Sequence, residues 1–157
     1  MRQDTAQAVE DFPAAELDFK ATPDLMTFGE LARHILDAGH ALTGILLDGV
    51  DNLATPQFRE MIARYRPQLP ERLDAATLAS ELRKSLEMRS AELAAKGEDF
   101  YSGIITRFDG QRVTRLEMLQ FIKEHELTHR SQMFVYLRLK GIVPATTRRR
   151  QAAQKSA

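Results

Sequence analysis

Apolar residues recur at spacings of three and four along most of this chain, the period of helices with one buried face. The clearest run is Phe28, Leu31, Ile35, Ala38, Leu42 and Ile45. It follows Thr27-Phe28-Gly29-Glu30, a capping box: the threonine hydroxyl accepts from the Glu30 amide while the Glu30 side chain reaches back. The spacing predicts a helix from residue 28 to about 47, ending near Asp48-Gly49. Thr55-Pro56 reads as an N-cap and a first-turn proline before a short helix carrying Phe58, Met61, Ile62 and Tyr65, which Pro67 and Pro70 end. Asp74 or Thr77 then caps another long helix, with Leu78, Leu82, Leu86 and Leu93 on its apolar side and Gly97 closing it. Thr114-Arg115-Leu116-Glu117 is a second capping box. It opens a last long helix that runs to about Lys140, with Gly141 as its C′ residue and Pro144 blocking continuation.

Between residues 100 and 113 the period changes. Ile104 to Phe108, Asp109-Gly110 and Gln111 to Val113 resemble a small hairpin with a two-residue turn, or an irregular loop. At the N-terminus, residues 3–11 are helix-compatible but short, and Pro13 ends them. The expected fold class is all-α, a four-helix bundle with a shortened first helix and a small hairpin or loop before the last helix. A neighbouring subunit covering the gap is the alternative to a short first helix.

Composition narrows the function classes. With 157 residues and 43% hydrophobic content, the chain suits one folded domain. Absent cysteine excludes disulfides, thiolate ligands and a cysteine nucleophile, and fits a reducing, cytoplasmic setting. No apolar run is long enough to span a bilayer and no export signal is visible. Glycine-rich phosphate loops and a G-x-S-x-G elbow are absent. Charge is uneven: residues 1–126 hold 15 basic and all 22 acidic residues, whereas residues 127–157 hold 7 basic and none acidic. We expect one helical domain over 1–146 and a basic, disordered tail over 147–157 that includes Arg148-Arg149-Arg150. Such a tail could grip nucleic acid, but no aromatic interleaves the arginines, so a solvated terminus is the favoured reading and a nucleic-acid partner is not expected.

His125-Glu126-Leu127-Thr128-His129 spells H-E-x-x-H, the zinc motif of many metalloproteases. The two histidines share a helix face with Met118, Ile122, Gln132, Met133 and Tyr136, a largely apolar stripe, so they point inward. Buried imidazoles need hydrogen-bond partners or a metal. A zincin takes its third ligand downstream, yet no Asp, Glu or His follows His129. Gln132 and Val135 stand where the longer motif places its glycine and last histidine. The zincin protease reading therefore fails, and a third ligand must come from upstream. His40 aligns with Arg33, Asp37 and Gly44 on a polar side read as solvated; His34 aligns with Leu31, Ala38, Ala41 and Ile45. Packing the two helices brings His34 toward His125 and His129. Three histidines leave open positions for water or substrate, the pattern of a catalytic site.

"MTFGELARHILDAGHAL" together with "EHELTHRSQMFVYLRLKGIVP" resembles the DinB/YfiT-like superfamily of metalloenzymes over roughly residues 10–146. The resemblance rests on the His34 context, the H-x-x-x-H-R-x-Q string and the "YLRLKGIVP" ending. It implies a four-helix bundle, often dimeric, with His34, His125 and His129 binding nickel, zinc or another divalent ion such as iron or manganese. Ser131 stands where the family commonly has glycine, a mild departure, and the short first helix is a larger one. The family also implies thiol-dependent S-transfer or isomerisation with a low-molecular-weight thiol.

We therefore expect a divalent-metal-dependent enzyme acting on a small molecule, a transferase or hydrolase, and expect it as a homodimer. Glu126 is a candidate base or imidazole-orienting residue, against a solvated or salt-bridged glutamate; Gln132 is a candidate orienting or substrate-contact residue. Asp37 is a weaker candidate, and Arg33 and Arg130 could hold an anionic substrate or be surface charges. The rival reading is a non-catalytic metal-binding or interaction module with a basic tail.

Overall fold

The two capping boxes form as the sequence predicts. Glu30 N–H donates to Thr27 Oγ1 at 3.0 Å and Thr27 N–H donates to Glu30 Oε2 at 2.7 Å. Thr114 and Glu117 repeat the exchange at 2.7 and 3.1 Å. These bonds start the two helices that carry the histidines. The computed structural model describes residues 2–155. In chain order the elements are α1 (Arg2–Asp11), α2 (Phe28–Leu47), α3 (Phe58–Tyr65), α4 (Ala75–Ala94), α5 (Glu98–Ser102), β1 (Ile104–Thr106), β2 (Arg112–Thr114), α6 (Arg115–Leu139) and α7 (Ala145–Lys155). The fold is mostly helical, with a short first helix and a small hairpin before α6. Among the described residues no helix is long and apolar enough to cross a membrane.

Two glycines end long helices for the reason glycine is needed there. Gly49 and Gly141 have φ of +80° and +73°, a left-handed conformation without steric cost only for glycine. Each closes a Schellman motif: Val50 N–H donates to Ile45 O at 3.3 Å, and Ile142 N–H to Leu137 O at 2.9 Å. Asp74 is the cap of α4, accepting from Thr77 N–H at 2.7 Å. That bond holds the Asp74 carboxyl below its ordinary range. Gly97 does not close α4; with φ of −81° it is the residue before α5. Thr55 does not cap α3, whose N-cap is Gln57.

The chain divides into two compact units: residues 1–34, 70–84 and 127–157 in one, and residues 35–69 and 85–126 in the other. In the first, Ala6, Val9, Phe12, Phe28, Leu31, Leu78, Leu82, Met133 and Leu137 are buried. Phe12 stacks on Phe28 at 3.7 Å between ring centroids. Tyr136 O–H donates to Met26 O at 2.8 Å, tying the loop before α2 to α6. Residues 147–155, expected as a disordered tail, are instead part of α7. So polar a helix is marginal in isolation; here Arg148 pairs with Asp11 at 2.8 Å and Arg149 with Asp4, both acids on α1.

In the second unit, Leu42, Ile45, Leu46, Leu53, Ile105, Met118 and Ile122 form the core, with Phe58, Ile62, Tyr65 and Phe100 packed on it. The hairpin pairs Ile104 with Thr114, Ile105 with Val113 and Thr106 with Arg112. Its turn has three residues rather than two. Arg107 N–H bonds Gln111 O, and Gly110 N–H bonds Arg107 O, both at 2.8 Å. Gly110, at φ +84°, supplies the left-handed residue that a three-residue loop needs. Hydrogen bonds from Arg107 hold the Asp109 carboxyl down to about 2, with the Gln111 amide adding to the effect.

Candidate metal centre

α2 and α6 bring three of the four histidines together. One ring nitrogen each of His34, His125 and His129 lies within 4.8 Å of the others, and all three side chains are half-buried. The rings of His34 and His129 meet edge to face, 4.8 Å between centroids and 86° between planes. His125 and His129 reach one place because they are a helical turn apart. Among the described residues no fourth His, Cys, Asp or Glu joins this group.

The donors fit a divalent ion chemically: imidazole suits zinc, nickel, copper and iron. Nitrogens sharing a tetrahedral zinc stand roughly 3.3 Å apart, given Zn–N bonds near 2.0–2.1 Å. The nitrogens here lie within 4.8 Å of one another.

Gln132, one turn past His129, places Oε1 at 2.8 Å from His129 Nδ1. A carboxamide oxygen only accepts, so this contact is a hydrogen bond when Nδ1 carries the ring proton. Gln132 is exposed rather than part of an apolar stripe. The buried line of α6 runs instead through Met118, Ile122, Glu126, Met133 and Tyr136. Glu126 is 4% exposed, so the solvated reading of this glutamate does not hold. Its carboxylate is not part of the three-histidine group.

His40 is outside that group and is not solvated. It is half-buried, and Nδ1 lies 3.0 Å from Oγ of the buried Ser85 on α4. The side of α2 read as polar and open therefore faces α4; Gly44, one turn further, leaves room for the Arg89 guanidinium. Ser85 was invisible as a partner, because nothing local marks one serine of a helix as buried. Of the other candidates, Arg33 donates to Pro70 O at 2.8 Å, and Arg130 pairs with Asp4 at 3.4 Å. Asp37 is half-buried on α2 and outside the histidine group. Ser131 is exposed and donates to Leu127 O at 2.8 Å.

A helical fold with a three-histidine cluster on α2 and α6 defines a class of protein. The chain belongs to the DinB family: that family's model matches residues 1–155. Among solved structures it is similar to a DinB-like protein, YjoA, from Bacillus subtilis, with 25% identity and a TM-score of 0.69 over 89% of this chain and 86% of that one. It also shares its fold with a mycothiol-dependent maleylpyruvate isomerase, solved unmutated and as a mutant. Identity there is 16%, with TM-scores of 0.59 and 0.60. The match covers 82% of this chain but only 54% of the isomerase, so the chain corresponds to about half of that protein. No curated protein sequence matches the chain.

Proposed function

We propose that this chain is a divalent-metal-dependent enzyme in which His34, His125 and His129 hold the ion, and that its reaction is a thiol-dependent S-transfer on a small electrophile. The observation carrying this reading is the convergence of three imidazole nitrogens with no fourth His, Cys, Asp or Glu in the group among the described residues. A structural zinc site is closed by four protein ligands, whereas a catalytic one keeps a position open. When bound there, a divalent ion supplies Lewis acidity and lowers the pKa of a water or thiol. The residues themselves hold the ion: His34 from α2, His125 and His129 from α6. The thiol chemistry is supported by the shared fold of the mycothiol-dependent isomerase. Zinc or nickel suits the all-imidazole donors best, with iron and manganese as further possibilities. Glu126 is proposed as a neighbour that orients the ligand helix or serves as a base, supported by its burial next to His125.

A homodimer and a cytoplasmic setting belong to the same proposal. The first is supported by exposed Val135, Leu139 and Val143, the second by the cysteine-free composition.

The test begins with metal analysis of protein purified without added ions. Stoichiometric divalent metal is expected in the wild type and after His40→Ala, and its loss is expected after His34→Ala or His125→Ala. Conjugation of an electrophile is then assayed with several low-molecular-weight thiols. Metal-dependent turnover with one of them is expected; bound metal with no turnover on any thiol would replace transfer with hydrolysis or simple metal binding.

A further inference from the structure

Nδ1 of His129 lies 2.8 Å from Gln132 Oε1, a contact made within one turn of α6 by two residues held at fixed spacing. Free histidine in water prefers its proton on Nε2. A carboxamide oxygen placed at Nδ1 reverses that preference, because only the Nδ1–H form can donate to it. On its other side the ring meets His34 edge to face at 4.8 Å. From these two contacts we infer that Gln132 is a positioning residue: it sets His129 in the Nδ1–H form before any ligand arrives and directs the Nε2 lone pair at the three-histidine site.

The inference deepens the metal reading and rests on it for its purpose, but the ring proton is a property of the protein without metal. Partners of this kind fix both tautomer and ring orientation in metal sites. A glutamine does so without adding charge, unlike the carboxylate more often met in that role. His40 provides an internal contrast. Its Nδ1 partner is the Ser85 hydroxyl, which donates or accepts with equal ease and imposes no tautomer.

Because Gln132 is exposed, its replacement leaves the core intact. The experiment uses the full-length, metal-stripped protein. Long-range proton–nitrogen NMR of the histidine rings, at a pH where they are neutral, reports which nitrogen is protonated. In the wild type, His129 is expected as the Nδ1–H form. Gln132→Ala should shift it toward Nε2–H, and Gln132→Glu, which keeps an acceptor oxygen, should restore it. Zinc affinity by chelator competition should fall about 10–100-fold in Gln132→Ala, the usual cost of losing such a partner, and recover in Gln132→Glu. An Nε2–H His129 in the wild type, or an Nδ1–H ring that survives Gln132→Ala, overturns the inference. A wild type that shows the expected ring proton and binds no zinc overturns the metal reading alone.

Discussion

His40 and His129 are both half-buried, and each sets Nδ1 against a side-chain oxygen, at 3.0 and 2.8 Å. The partners differ, and so does what lies beside each ring. His40 meets a buried serine, and the pair satisfies two polar groups in the second unit's helix packing. His129 meets a glutamine at the surface, and its ring lies beside two more imidazoles. Partial burial with a hydrogen bond makes a satisfied structural histidine. Convergence with other donors makes a candidate ligand. Sequence position distinguishes the two only when the helix faces are assigned correctly.

The largest expected effect breaks the contrast outright. His125→Ala should abolish stoichiometric metal binding and, with it, the rise in thermal midpoint that added metal gives the wild type through selective binding to the folded state. His40→Ala should keep that metal-induced rise. It should cost stability instead, about 1–3 kcal/mol, because the buried Ser85 hydroxyl loses its partner; denaturant titration measures this. A His40 variant without metal would merge the two classes of histidine. Next in size, Thr27→Ala removes the cap that begins α2 and should cost about 0.5–2 kcal/mol while leaving metal stoichiometry unchanged. Loss of metal in that variant would mean the site depends on the first turn of α2 more than on its own ligands.

Acid separates the two regions more gently. The backbone amides of Thr27, Thr77 and Thr114 hold the carboxyls of Glu30, Asp74 and Glu117 below their ordinary ranges. Depressed folded-state values mean that each group's contribution is present above its unfolded pKa and is lost as pH falls through the folded one. Metal affinity should fall earlier on acidification, because each ligand must be a neutral imidazole. A pH titration of bound metal and of helicity should thus show metal release first. Coincident transitions would mean that metal and fold are one equilibrium.

Much of this was legible because the signals were local. Capping boxes at Thr27 and Thr114 and left-handed glycines at 49 and 141 fix helix ends by chemistry within a few residues. The three metal candidates were readable because histidines are few and no acid follows His129. What escaped was long-range or too short to have a period. α5 spans five residues, and α7 has almost no apolar face; its arginines gain partners on α1, more than a hundred residues away. The buried line of α6 passes through Glu126, one residue and about 100° from His125, and leaves Gln132 exposed, where the apolar spacing points to Gln132. An apolar stripe containing histidines and a glutamine leaves that much freedom in where its centre lies.

One carboxylate in the first unit has an uncommon arrangement. Asp4 pairs with both Arg130, the residue after His129, and Arg149 of α7. One anion between two cations does more than attract them; it keeps them from repelling each other. Ionic strength should therefore act in opposite directions on two proteins. Salt should weaken the wild-type cluster modestly, as it weakens any accessible ion pair. In Asp4→Asn the anion that both guanidinium groups share is gone, so the same salt should stabilise the variant by screening the two like charges. A reversal in the sign of the salt dependence would identify a cluster that a simple loss of stability could not.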